Sequence, residues 1–137
     1  MLVLKNIQIL TLLYGQIFMV IRQLTSSHSV ADQITLADLE DISKAGFRSI
    51  ICNRPDEEGE PHDDAYSMAQ HAAFLGLEFR YQPVDGSRIT DDDAVLHANL
   101  LSELPTPILA YCHSGTRCTK LWALTQKEQQ SADTLLK

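Results

Sequence analysis

Positive charge is scarce in this chain. Eleven lysines and arginines stand against eighteen aspartates and glutamates over 137 residues, a formal net charge of −7. A surface that wraps nucleic acid or lies on an anionic membrane needs the opposite balance, so neither partner is expected. Cysteine is sparse as well. Cys52, Cys112 and Cys118 are odd in number and irregular in spacing, which excludes a disulfide framework and a zinc-ligand pattern. Free thiols of this kind fit a reducing, cytoplasmic setting. No internal repeat or low-complexity linker interrupts the chain, and its length suffices for one domain with a modest core. The acidic run from Asp56 to Asp64 is the one dense carboxylate cluster. Consecutive carboxylates point in different directions, so it reads as a solvated loop rather than a metal site.

What the chain does have begins with an apolar start. From Leu2 to Ile21 the only charge is Lys5. We read residues 1–18 as an apolar extension in front of a single domain, 19–137, with Met19 as an alternative start. A membrane anchor or signal peptide is the competing reading, with Ser29-Val30-Ala31 as a weak small-x-small cleavage site.

Strand and helix patterns then alternate. Met19 to Leu24 reads as a strand and Thr25 to Asp32 as a polar loop. Thr35, with Asp38 three residues on, predicts a boxed helix start; Leu36, Leu39, Ile42 and Ala45 follow at helical spacing, and Gly46 ends the helix. Phe47–Cys52 and Leu77–Tyr81 read as strands, with a helix from Ala65 to Leu75 between them. Thr90 predicts the cap of a third helix that runs to Leu104. Pro107–Tyr111 is a strand; a last helix starts near Arg117, gives way at Gln126–Gln130, and a further one starts at Ser131. This order predicts a three-layer α/β fold, a central, mainly parallel sheet flanked by helices. In such sheets the ligand site lies beyond the carboxyl ends of the strands. That places three loops on one rim: Asn53-Arg54, Val84-Asp85-Gly86, and the loop after Tyr111.

The last of these loops carries the chemistry. Cys112-His113-Ser114-Gly115-Thr116-Arg117 lies between a strand and a helix. Loop amides and a helix N-terminus both direct positive charge at whatever sits above the cysteine, which favours thiolate over thiol. Arg117 adds a forked donor suited to a tetrahedral oxyanion. Cys52, within Ser49-Ile50-Ile51-Cys52, reads instead as a small buried hydrophobe.

Several separated motifs, Gln33-Ile34-Thr35, Gly46 through Asp56, Gly76-Leu77 and the Cys112 loop, together resemble the DUF442 family, the phosphatase-like domain of β-lactamase-hydrolase-like proteins. The resemblance covers roughly residues 20–125 and implies a fold like the tyrosine and dual-specificity phosphatases. It implies Cys112 as nucleophile, Arg117 as clamp on the phosphoryl oxygens, and the amides of His113, Ser114, Gly115, Thr116 and Arg117 as a cradle. Asp85 stands where dual-specificity phosphatases commonly place a general acid. Arg54 offers a second anion contact, or else pairs with the acidic loop beside it. The implied reaction hydrolyses phosphate monoesters of a protein or small molecule through a phosphocysteine, without metal or cofactor. Two departures keep alternatives open. Four residues separate Cys112 from Arg117, where the phosphatase signature has five. The shorter loop also resembles rhodaneses, whose cysteine carries a persulfide, although their glycine–alanine segment is missing. Cys118 follows Arg117, where a hydroxyl residue is usual, and raises a redox possibility. A non-catalytic anion-binding module is the third reading. Oligomeric state is not legible.

Overall fold

The computed structural model describes residues 2–4, 7–11, 17–59 and 63–135, with side chains from 19–59 and 63–130. The chain runs β1 (Leu2–Leu4), β2 (Ile7–Thr11), β3 (Ile17–Gln23), β4 (His28–Ala31), α1 (Asp38–Lys44) and β5 (Ser49–Cys52). A short 3-10 turn (Asp56–Glu58), α2 (Ala65–Phe74), β6 (Glu78–Tyr81), α3 (Asp91–Glu103), β7 (Ile108–Tyr111) and α4 (Thr116–Leu135) complete it. The strands form one sheet in the order β1-β2-β3-β4-β7-β5-β6. β4, β7, β5 and β6 pair in parallel, while β1 to β4 pair antiparallel.

Alternation along the strands divides the interior in two. Ile21, Ala31, Ile50, Cys52, Leu109 and Tyr111 pack with Leu39 and Ile42 of α1 and Met68 and Ala72 of α2. Val30, Ile51, Ile108 and Ala110 face the other way, against Leu100, Leu101 and Leu104 at the end of α3 and Cys118 of α4. Burying each such aliphatic side chain contributes about 1.5–3 kcal/mol. Cys112 continues the second row, two residues past Ala110. The helices therefore cover both faces, and the three-layer α/β expectation holds.

Three local readings need correction. Residues 25–32 are not all loop: His28–Ala31 forms β4, buried along its whole length between β3 and β7. Its single branched aliphatic, Val30, gave too weak a pattern, and the Ser29-Val30-Ala31 triplet lies inside this strand. The last helix does not break at Gln126 but continues to Leu135, since long polar side chains are good helix formers on an exposed face. At α1 only half of the expected box forms: Asp38 accepts from the Thr35 amide at 2.8 Å, without a reciprocal cap from the Thr35 hydroxyl. The full box does form at α3, where Thr90 and Asp93 exchange bonds. Within the apolar stretch 1–18, β1 and β2 extend the sheet beyond β3. Among the described residues no helix is long and apolar enough to cross a membrane.

Candidate active site

β7 runs inside the sheet between β4 and β5, and all four of its residues are buried. It delivers Cys112 to the carboxyl edge of the sheet, where the chain must turn to enter α4. Gly115 makes that turn at φ +87°, a conformation a side chain would strain. A Cβ there would also meet the Ala31 backbone at 3.5 Å. The turn aims the Gly115 amide at Cys112 Sγ, 3.1 Å away. Thr119 fixes it from the helix side by donating its hydroxyl to Gly115 O at 2.9 Å.

The sulfur sits at the bottom of this loop, with Cys112 only 1% exposed. Burial alone pushes a thiol pKa up. Here donated hydrogen bonds outweigh it: the Cys118 thiol first, then the amides of Cys118, Gly115 and Ser114, bring Cys112 down from about 9 to about 5. Cys118, wholly buried beside it, is driven the other way, chiefly by desolvation and then by the neighbouring sulfur. The contact between the two sulfurs thus favours the charge on Cys112 and the proton on Cys118. All three cysteines are free. Cys52 is buried and its thiol is pushed up by desolvation, as suits a core residue.

Arg117 is the point where the predicted rim loops converge. Its Nη1 donates to Val84 O at 3.0 Å and to Asn53 O at 3.4 Å. Its Nη2 meets Glu58 Oε1 at 2.9 Å. Gly86 packs beneath it so closely that a Cβ would stand 2.8 Å from Nε, and Nε itself has no hydrogen-bond partner among the described residues. Asn53 is in turn fixed from below. Its buried side-chain amide donates to Gln82 O at 3.0 Å, and Gln82 Oε1 meets His97 Nδ1 at 2.7 Å.

The remaining predicted residues are distributed unevenly. His113, Ser114 and Thr116 are exposed on the loop. Ser114 and Thr116 line a cleft of about 350 Å3 on the β4 side, shared with Arg22, Asp32 and Lys120. Asp85 is exposed on the rim beside Gly86. Its Oδ1 accepts from the Ser87 hydroxyl at 2.7 Å and the Ser87 amide at 2.9 Å, which holds its carboxyl below the usual range. Arg54 pairs with the acidic turn beside it. It donates to Gln33 Oε1 at 2.7 Å and to the Glu58 backbone carbonyl, so it braces the acidic turn.

Two participants escaped the sequence reading. Glu58 is not merely solvated, because the 3-10 turn carries it inward onto Arg117. Gln33 reaches the loop through its amide, which donates to His113 O at 3.1 Å. The Arg54–Glu58 spacing of four residues was the available signal for the first. The second stands in the Gln33-Ile34-Thr35 motif of the family resemblance, but its place beside the Cys112 loop depends on β4. Among the described residues, no group of three or more metal-ligating side chains comes together.

Comparison with known proteins fits this geometry. Residues 20–129 match the model of the beta-lactamase hydrolase-like protein, phosphatase-like domain family. The chain belongs to that family. A curated relative, the beta-lactamase hydrolase-like protein of Agrobacterium fabrum, is 36% identical over 70% of this chain. That match spans only 22% of the relative, about a fifth of its length. A solved phosphatase candidate from Neisseria meningitidis superposes with a TM-score of 0.68 at 38% identity, covering 73% of this chain and 71% of that one. A DUF442 phosphatase candidate from Shewanella putrefaciens shares the fold at a TM-score of 0.67 and 17% identity, over 81% and 69% of the two chains. The phosphatase-like domain thus has a mixed sheet flanked by four helices, the fold of cysteine phosphatases.

Proposed function

We propose that this phosphatase-like domain hydrolyses phosphate monoesters by way of a phosphocysteine on Cys112. The observation that carries the reading is the loop's concentration of hydrogen-bond donors on one sulfur, which makes a buried thiol a thiolate near neutrality. A thiolate is the nucleophilic form.

The proposed first step forms the Cys112 Sγ–P bond and breaks the ester P–O bond. Arg117, held in place by Glu58, Val84 O and Asn53 O, stabilises charge on the phosphoryl oxygens. Asp85 protonates the departing oxygen, an effect worth roughly 10²–10⁴-fold. Its Ser87 bonds favour the carboxylate in the free protein; a phosphate dianion bound nearby raises its pKa again through like-charge repulsion. In the second step water attacks phosphorus, Asp85 accepts its proton, and Cys112 leaves as thiolate. The Cys118 thiol donates to that leaving sulfur, a task a hydroxyl performs in the related signature.

The test is phosphate release from p-nitrophenyl phosphate. Activity disappears in Cys112→Ser and falls at least tenfold in Asp85→Asn. Full turnover by Cys112→Ser would overturn the proposal. The four-residue loop also suits a persulfide carrier. Thiosulfate treatment followed by mass spectrometry decides between them: one added sulfur on Cys112, with no phosphatase activity, would favour the sulfurtransferase.

A further inference from the structure

Resting on the phosphatase reading, a second feature bears on what is attached to the phosphate. The leaving oxygen must lie within reach of Asp85, so the group it carries emerges on the Asp85-Gly86 side of the site. A groove of about 510 Å3 opens there, lined by Gly86, Ile89, Lys120, Ala123, Leu124 and Lys127. This is within the size range of small-molecule sites. Gly86 joins it directly to the guanidinium of Arg117.

The chemistry of the groove has two parts. Ile89, Ala123 and Leu124 give it an apolar floor. Lys120 and Lys127 stand seven residues apart on α4, hence on one helix face and about 10 Å apart along the axis. Both are exposed, and neither makes an ion pair among the described residues. In a chain of net charge −7, two uncompensated ammonium groups beside an apolar floor form a local exception. From Ile89 the chain continues into the acidic first turn of α3, none of whose carboxylates lines the groove.

We propose that this groove is the leaving-group subsite, selecting phosphate monoesters whose leaving group combines an apolar body with a second anionic group. Selectivity of this kind comes from exposed cations. It is therefore modest, about two- to fivefold, and sensitive to salt.

Binding and turnover separate this proposal from the one beneath it. Cys112→Ser protein is titrated with 4-propylphenyl phosphate and with its analogue ending in a carboxylate, 3-(4-phosphonooxyphenyl)propanoate. The carboxylate binds about two- to fivefold tighter at low salt. That advantage disappears at 0.5 M salt (where screening is short-ranged, about 4 Å) and in Lys127→Ala, but persists in Lys127→Arg and in the distant Lys44→Ala. Equal affinity for the two compounds, or an advantage untouched by Lys127→Ala, would overturn the subsite. Turnover of both compounds by the unmodified protein with equal kcat/KM overturns it too. Failure to hydrolyse either would instead sink the phosphatase reading, and the titrations would still judge the groove.

Discussion

Removing one buried thiol tests the account of the nucleophile most directly. Cys118 makes the foremost contribution to the low Cys112 pKa, ahead of the loop amides. A hydrogen bond to a charged group is worth about 1.5–3 kcal/mol, and a thiol is a weak donor, so the lower figure applies. At 1.36 kcal/mol per unit, losing it raises the Cys112 pKa by about one unit. Cys118→Ala therefore moves the midpoint of Cys112 alkylation from about 5 to roughly 6 or above. At pH 5.5 the thiolate population, and with it the rate of modification, falls about threefold. Cys118→Ser keeps a donor in the same place and stays near the unmodified protein, which guards against a packing artefact. The assay is iodoacetamide labelling across pH, with the labelled peptide identified by mass spectrometry. Mapping matters because Cys52 and Cys118 are buried thiols with raised pKa values and should label slowly. A common midpoint for all three proteins would refute the role given to Cys118. A midpoint in the usual thiol range for the unmodified protein would refute the thiolate itself.

Three further outcomes are expected. Gly86→Ala places a methyl 2.8 Å from Arg117 Nε, displaces the guanidinium and lowers kcat/KM at least tenfold while circular dichroism stays native; unchanged kinetics would show that Arg117 needs no such seat. Ser87→Ala removes the stronger of two bonds that favour ionised Asp85. The alkaline limb of the kcat profile then moves to higher pH, and a limb that stays put would remove Asp85 from the acid role. His28 and His97 lie buried edge to face, with desolvation lowering them to about 4 and about 3. Below the unfolded value near 6.5 the unfolded chain binds protons that the folded one refuses, so stability falls as pH drops from about 6.5 to about 3. Thermal melts across that range should show a declining Tm, and a flat profile would mean that neither histidine is buried neutral.

The parts of the molecule whose physics is local are legible in the amino-acid order alone. Gly46 and Gly76 do stop helices, each at positive φ, and Thr90 with Asp93 does cap one. The strand–loop–helix pattern around Cys112 carries its own anion-favouring field, because that field comes from amides contiguous in the chain. Tertiary structure decided everything that depends on which segments lie side by side. β4 became a strand because β3 and β7 supply partners on both edges, although its own residues hardly ask for it. With β4 in place, Gln33 reaches the Cys112 loop. Of the carboxylates crowded between Asp56 and Asp64, only packing could select Glu58 to meet Arg117. Position 118 shows the division within one residue. Its identity was plain from the start, but its effect on Cys112 depends on the first turn of α4 bringing the two sulfurs together, where one thiol becomes a donor that favours the thiolate of the other.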